Sequence, residues 1–250
     1  MLAGALVSPK YLIMASRPDN IVLFTHIAVD RLMKKEFNER NLNIQKVVRT
    51  LTLSRTEKQS SAKALITVDK LISSIAEKPL VNTVDVTPGV GDPCSSMWPL
   101  PPIHRVCLQR CAMSQKKVNL VTNPYEFEVN GLRVMTMSGE NVTELLRTSQ
   151  KWTGADVLAN LVKWQHVAPN CPDTLDAFPM AERDPLVMET TPHIMVCGNQ
   201  PQAEFRRVPI DGSDSTCLVV CLPKFSKTRV ACFLNLKDLS MKWQNFDHQY

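Results

Sequence analysis

The chain has 250 residues, 44% of them hydrophobic and 21% charged, enough apolar material for one large domain or two small ones. Its formal net charge of +5 is mild, and the basic residues form only short clusters such as Lys34-Lys35, Lys116-Lys117 and Arg206-Arg207, which argues against a dedicated nucleic-acid groove. The apolar start Met1 to Val7 is cut by Pro9 and Lys10 before it reaches the length of a signal core or a membrane span, so no membrane segment and a reduced intracellular compartment are expected.

The first elements are a strand at Ile21 to Val29 and a charged helix at Asp30 to Arg40 with Leu32, Met33 and Phe37 on its apolar side. Ile44 to Leu53 reads as a strand. Ser60 to Ala76 reads as a helix with Ala64, Leu65, Val68, Leu71, Ile72 and Ile75 on one face, ended by Pro79. A strand over Val81 to Val86 completes a parallel strand, helix, strand unit, and its exit loop, Thr87 to Pro93, lies where such folds build their sites. Met97 to Pro102 is irregular and holds Trp98 among three prolines, either as a plug for the core or as an exposed anchor for a partner.

The most informative stretch is Leu120 to Val142. Asn123-Pro124 is a turn signal, because the proline pushes Asn123 out of the helical region. Tyr125, Phe127 and Val129 then alternate with Glu126, Glu128 and Asn130, the period of a half-buried strand. Asn130-Gly131 is the dipeptide preferred in tight hairpins, where both central residues need positive φ. Leu132 to Met137 returns and stops at a Ser138-Gly139-Glu140-Asn141 loop.

Thr143 to Gln150 and Ala155 to Trp164 read as helices, the second with Val157, Leu158, Leu161, Val162 and Trp164 as its apolar face. Beyond Pro169 the chain is proline-rich and irregular. Strands follow at Pro192 to Cys197, Cys217 to Leu222 and Arg229 to Leu236, and the polar, aromatic tail from Trp243 to Tyr250 is expected to fray. The eight cysteines include two pairs with three residues between them, Cys107/Cys111 and Cys217/Cys221, which miss the two-residue gap of zinc knuckles and read as buried thiols.

In order along the chain, Asp85-Val86-Thr87-Pro88-Gly89, Gly91-Asp92-Pro93, Val121-Thr122-Asn123-Pro124-Tyr125, the Asn130-Gly131 hairpin, Ser138 to Val142, His166-Val167-Ala168-Pro169, Cys171 to Leu175, Asp184-Pro185, Pro192 to Pro201 and Ala231 to Leu236 form a string of motifs. This string resembles the small, or B, subunit family of DNA polymerases alpha, delta and epsilon, nearest to its delta members, from Ile44 to Leu239. The resemblance implies an α/β fold of calcineurin-like phosphoesterase type, with layered β-sheets flanked by helices and a degenerate metal site. It divides the chain into a divergent N-terminal segment, 1–43, a phosphoesterase-like domain, 44–239, and a polar tail, 240–250. The oligonucleotide-binding domain usual ahead of the phosphoesterase-like domain finds no room.

An active enzyme of that type needs aspartate, asparagine and several histidines at successive strand ends, to hold two cations while a hydroxide attacks phosphorus. Here the early strand is Val47-Val48-Arg49-Thr50-Leu51, and the loop that should carry Gly-Asn-His is Pro88 to Pro93. Gly198-Asn199-Gln200-Pro201 stands where Gly-His-x-His is required. Asp92, Asn141, His193 and Asn199 are the degenerate former-site positions, with no metal, no cofactor and no catalytic residue expected. Ser138 lacks the elbow and the base of a nucleophile.

The resemblance further implies an accessory subunit of a replicative polymerase, located in the nucleus. It would bridge the metal-bearing C-terminal module of the catalytic subunit to another accessory subunit and meet DNA only indirectly. Trp98, Phe178 and Phe205 are its candidate partner-interface residues. A divergent metal-dependent phosphoesterase and a truncated, non-functional family member are the alternatives.

Overall fold

The computed structural model describes residues 11–14, positions 66, 68–70, 72–74, 76 and 77, and residues 84–245 except 90, 91, 114–116, 130, 150, 211, 213 and 229. The expected elements at Ile21 to Val29, Asp30 to Arg40 and Ile44 to Leu53 lie outside the described residues, as do Asn130 of the hairpin and Phe246 to Tyr250 of the tail.

A five-stranded mixed sheet forms the centre, in the order β4 (Tyr125–Val129), β5 (Leu132–Met137), β6 (Ile194–Gln200), β8 (Thr216–Pro223) and β7 (Glu204–Pro209). β5, β6 and β8 run parallel, while β4 and β7 lie antiparallel at the two edges. The pleat sends alternate side chains to opposite faces. Met135, Met137, Met195, Cys197, Cys217, Val219 and Cys221 therefore point to one core, which the helices α2 (Glu140–Thr148) and α3 (Gly154–Trp164) cover. Val134, Ile194, Val196, Leu218, Val220 and Leu222 point to the other, closed by Cys232 and Leu234 of β9 (Val230–Asn235) with Met241 and Trp243 of β10 (Met241–Asn245).

That second layer is a three-stranded sheet in which β9 is flanked by β10 and by β1 (Tyr11–Met14). The α/β expectation of layered sheets flanked by helices is thus met, with a central sheet buried on both sides. Each fully buried Leu, Ile or Val on these faces contributes about 1.5–3 kcal/mol relative to exposure. A third apolar cluster joins Val68, Ile72 and Ala76 of the helical positions to Val84 and Val86 of β2 (Val84–Val86) and Val118 of β3 (Val118–Leu120). Asp69 carboxylate oxygens cap the short helix α1 (Gln109–Met113), accepting from Arg110 N and Cys111 N at 2.9 Å each.

The hairpin matches its expectation. Val129 pairs with Leu132 in antiparallel register, and Gly131 has φ 76° with open space where a side chain would begin. Four expectations need correction. α2 starts at Glu140, inside the expected Ser138 to Asn141 loop, because Gly139 takes φ 97° as N-cap and the Glu140 carboxylate favours the positive end of the helix. β6 runs on through Gly198-Asn199 to Gln200 as a bulged strand, with Asn199 at φ 61°. The expected polar tail supplies β10, since Met241 and Trp243 are needed to close the second core. β7 has no counterpart among the expected elements: its outward residues break the alternation, as Phe205, Arg206 and Arg207 are all exposed at the sheet edge.

Candidate functional site

Parallel β5, β6 and β8 end at a common edge, the place where an α/β sheet normally carries its site. The exit loops of β2 and β3 reach the same region. Thr87 Oγ1 donates to Thr122 O at 2.7 Å, and Asn123 clasps Ser138 at the end of β5, donating from Nδ2 to Ser138 Oγ at 2.5 Å and accepting from Ser138 N at 3.2 Å. Thr87, Asn123, Ser138, Asn141 and Gln200 are all buried, so this edge is a layer of polar side chains closed off from solvent.

Gln200 is the centre of that layer. Its Nε2 donates to Gly198 O at 3.0 Å and meets Cys197 Sγ at 3.2 Å and Gly139 O at 3.5 Å, and this ring of acceptors fixes which way the amide points. It ties the turn between β5 and α2 to the bulge of β6. The two backbones come so close that a Cβ on Gly139 would overlap Gly198 O and stand 2.6 Å from Gln200 Nε2. Gly154, at the start of α3, is also closely packed, its Cβ position lying 2.9 Å from Cys221 Sγ and 3.2 Å from Gln200 Oε1. The sequence patterns do not single out Gln200, although its place right after Gly198-Asn199 at a strand end is the signal that could have found it.

The four expected former-site positions do not all share this edge: His193 lies apart from it. Asp92 Oδ2 accepts from Gly89 N at 2.8 Å and closes the loop after β2. Asn141 sits in the first turn of α2, where Nδ2 donates to Val167 O at 2.6 Å beneath the helix. Asn199 occupies the bulge, half-buried. His193 precedes β6 and so lies at the opposite edge of the sheet; six residues of strand place it about 20 Å from Asn199. There its Nδ1 accepts from Arg133 N at 2.9 Å, and its backbone links β5 to β8.

The described histidines share this structural use. His104 Nδ1 accepts from Val106 N at 3.3 Å and His166 Nδ1 from Ala168 N at 3.2 Å, so with His193 each holds a local backbone amide. His166 Nε2 also meets Asp184 Oδ2 at 3.0 Å, and Asp184 Oδ1 accepts from Leu186 N at 2.8 Å. Two motifs separated in sequence thereby anchor the proline-rich segment against the end of α3. Among the described residues no cluster of three or more His, Cys, Asp or Glu could hold a metal ion.

Burial dominates the electrostatics of the interior. It raises the Asp85 carboxyl above its ordinary value, against hydrogen bonds from Asn119 and Tyr125 that lower it, and with Asp85 it pushes Tyr125 up to about 12. Complete burial, with Cys221 beside it, holds the Cys197 thiol well above the usual range, and Cys217 and Cys221 are each pushed up to about 12. Such thiols are protonated, inert packing groups.

The expected partner-interface residues separate. Trp98 is fully buried and its Nε1 donates to Glu140 Oε2 at 2.9 Å, so it plugs the helix-side core and offers a partner no surface. Its backbone carbonyl accepts from Phe178 N at 2.9 Å and thereby sets out Phe178, which is 40% exposed. Phe205 is exposed on edge strand β7. Trp164, expected on the buried face of α3, is instead 48% exposed and meets Trp152, 37% exposed, with ring centroids 6.2 Å apart.

A family model described as the DNA polymerase alpha/epsilon B subunit matches residues 16–207, reaching back beyond the Ile44 boundary expected from the motifs. The chain is 80% identical over 215 residues to a Caenorhabditis elegans protein named probable DNA polymerase delta small subunit, a match that covers 86% of this chain and 47% of that one. It is 30% identical over 206 residues to the DNA polymerase delta small subunit of Arabidopsis thaliana, covering 82% and 46%, and 33% identical over 202 residues to the DNA polymerase delta subunit 2 of Drosophila melanogaster, covering 80% and 46%. The chain thus spans about half the length of these relatives. A solved structure described as a novel archaeal phosphodiesterase superposes on 71% of this chain and 74% of its own at 12% identity and a TM-score of 0.38, a likeness too low to assign a fold.

Proposed function

Because the chain belongs to the family of DNA polymerase alpha/epsilon B subunits, we propose that it acts as a non-catalytic accessory subunit of DNA polymerase delta. In this reading it bridges the metal-bearing C-terminal module of the catalytic subunit to another accessory subunit, in the nucleus, during replication and repair synthesis. DNA is met only through those partners.

The observation that carries the non-catalytic part is the filled strand-end edge. A pair of divalent cations needs anionic and imidazole ligands converging on an open cavity. Here the side chains at the ends of β5 and β6 are Ser138, Asn141 and Gln200, all buried, with Ser138 Oγ, Asn141 Nδ2 and Gln200 Nε2 taken by internal hydrogen bonds and only the amide oxygens Asn141 Oδ1 and Gln200 Oε1 left without a partner, and the histidine next to β6, His193, lies at the other end of that strand. Among the described residues the donor set does not fit a metal pair.

Two measurements test the reading on the full chain. Co-expression with the polymerase catalytic subunit is expected to give a complex that survives purification, and failure to form one overturns the accessory role. Elemental analysis is expected to show only trace transition metal, whereas about two manganese or zinc ions per chain, with hydrolysis of a phosphodiester, restores the enzyme.

A further inference from the structure

On α3 the positions that reach solvent are Asp156, Asn160, Lys163 and Trp164, and Trp152, just ahead of the N-cap Thr153, is exposed beside them. The four helical residues form a stripe on one face, and a helical side chain leans toward the N-terminus, which turns Trp164 back toward Trp152. The two indoles meet there, 6.2 Å between centroids and inclined by 50°. A chain with four tryptophans has buried Trp98 and half-buried Trp243 but leaves this pair open. Tryptophan is among the residues most enriched at the energetic centres of protein interfaces.

Charge indicates the occupant. Each indole is next in sequence to an exposed lysine, Lys151 and Lys163, and neither is ion-paired among the described residues. The carboxylate on the stripe, Asp156, is already taken by the Thr153 amide at 2.9 Å and by Arg206 Nη1 at 2.7 Å. The open side chains are therefore apolar and cationic. We propose that Trp152 and Trp164, framed by Lys151 and Lys163, dock an acidic peptide segment that carries apolar side chains. The indoles take the apolar residues and the lysines take the carboxylates. Single-stranded nucleic acid fits less well, since it uses a row of separate aromatic faces along a basic groove, and here two rings touch each other beside two lysines.

The test uses the full chain and a fluorescent synthetic peptide of Asp and Glu with Leu and Phe at helical spacing, compared with polyglutamate of equal length and with oligo(dT). Specific binding of the mixed peptide is expected, with polyglutamate at least roughly tenfold weaker. Trp152→Ala and Trp164→Ala are each expected to weaken it roughly tenfold or more, as truncated interface anchors do. Lys151→Glu combined with Lys163→Glu should weaken it comparably, and Trp152→Phe should retain most of it. Thermal melts of the lysine variant and of Trp152→Phe should coincide with the parent, and any melt shift of the alanine variants is read beside their far-UV spectra so that lost folding is told apart from lost docking. Binding that ignores these substitutions overturns the proposal, and so does oligo(dT) binding more tightly through the same tryptophans. A synthetic probe needs no catalytic subunit, so its failure leaves the accessory-subunit reading standing.

Discussion

The strand-end edge and the outer stripe of α3 sit at opposite ends of one design choice. At the edge, polar side chains face inward and bond to neighbouring groups of the fold, as Gln200 holds Gly139 and Gly198 and Asn123 holds Ser138, with the buried Asn141 Oδ1 and Gln200 Oε1 left over. On α3 apolar side chains face outward and are left half open, as Trp152 and Trp164 show. The usual position of a site in an α/β fold is here occupied by buried, hydrogen-bonded side chains, while apolar side chains are exposed elsewhere. Fold and function can therefore be separated in this chain by asking which residues still have unused valence toward solvent.

The sharpest way to break this comparison is Gly139→Val. The added side chain would overlap Gly198 O and demand φ near 97°, so a loss of about 4 kcal/mol or more is expected in urea denaturation, enough to prevent folding. A stable Gly139→Val protein would mean that the edge is open after all. Next is Trp98→Ala, which removes a fully buried indole and is expected to cost about 3–5 kcal/mol. Phe178→Ala and Phe205→Ala should stay within about 0.5 kcal/mol of the parent, being surface changes, and any effect of theirs should show in capture of the catalytic subunit.

Gly131→Val comes third. Nothing crowds the site, so only the cost of holding a β-branched residue at φ 76° remains, about 1–3 kcal/mol, read as a lower melting temperature. A small effect concerns pH. The Leu186 amide first, and His166 after it, hold the Asp184 carboxyl below its usual value of about 4. The folded pKa is thus lower than the unfolded one, so its stabilisation is full above the unfolded value and is lost as pH falls through the folded one. Asp184 is half exposed, and solvent screening keeps the effect under about 1 kcal/mol. Asp184→Asn should lower the melting temperature slightly at pH 7 and merge with the parent in acid.

The hairpin is legible in the sequence because its signals are local: an alternation of five residues, an Asn-Gly pair and a Ser-Gly stop each act within one turn of chain. The helix α3 is legible from its period, yet the same period puts Trp164 on the wrong side, since a helix end lies on the boundary between faces and only the packed neighbours decide it. Trp98 and Phe205 cannot be told apart from their flanking residues, because burial of an irregular segment depends on a partner distant in sequence, Glu140 for Trp98. β10 and β7 escape for the same reason. One is drawn into order by a core built from β5, β6 and β8, and the other by a single antiparallel neighbour. The four polar remnants can be found as residue types, but the separation of His193 from Asn199 along β6 appears only when the strand has a direction.

The sheet of β1, β9 and β10 carries a consequence for synthesis. β9 is the strand to which β1 pairs, and the partners Tyr11 and Asn235 are 224 residues apart in the chain (235 − 11). At a translation speed of about 5–20 residues per second, β1 waits roughly ten to forty-five seconds for its partner to be made. In the last part of that interval Val134, Ile194 and Val196, once made, stand without the layer that will cover them until β9 follows. A nascent chain paused before Val230 exposes a flat apolar sheet face, a surface on which chaperones and neighbouring chains compete for the same contacts.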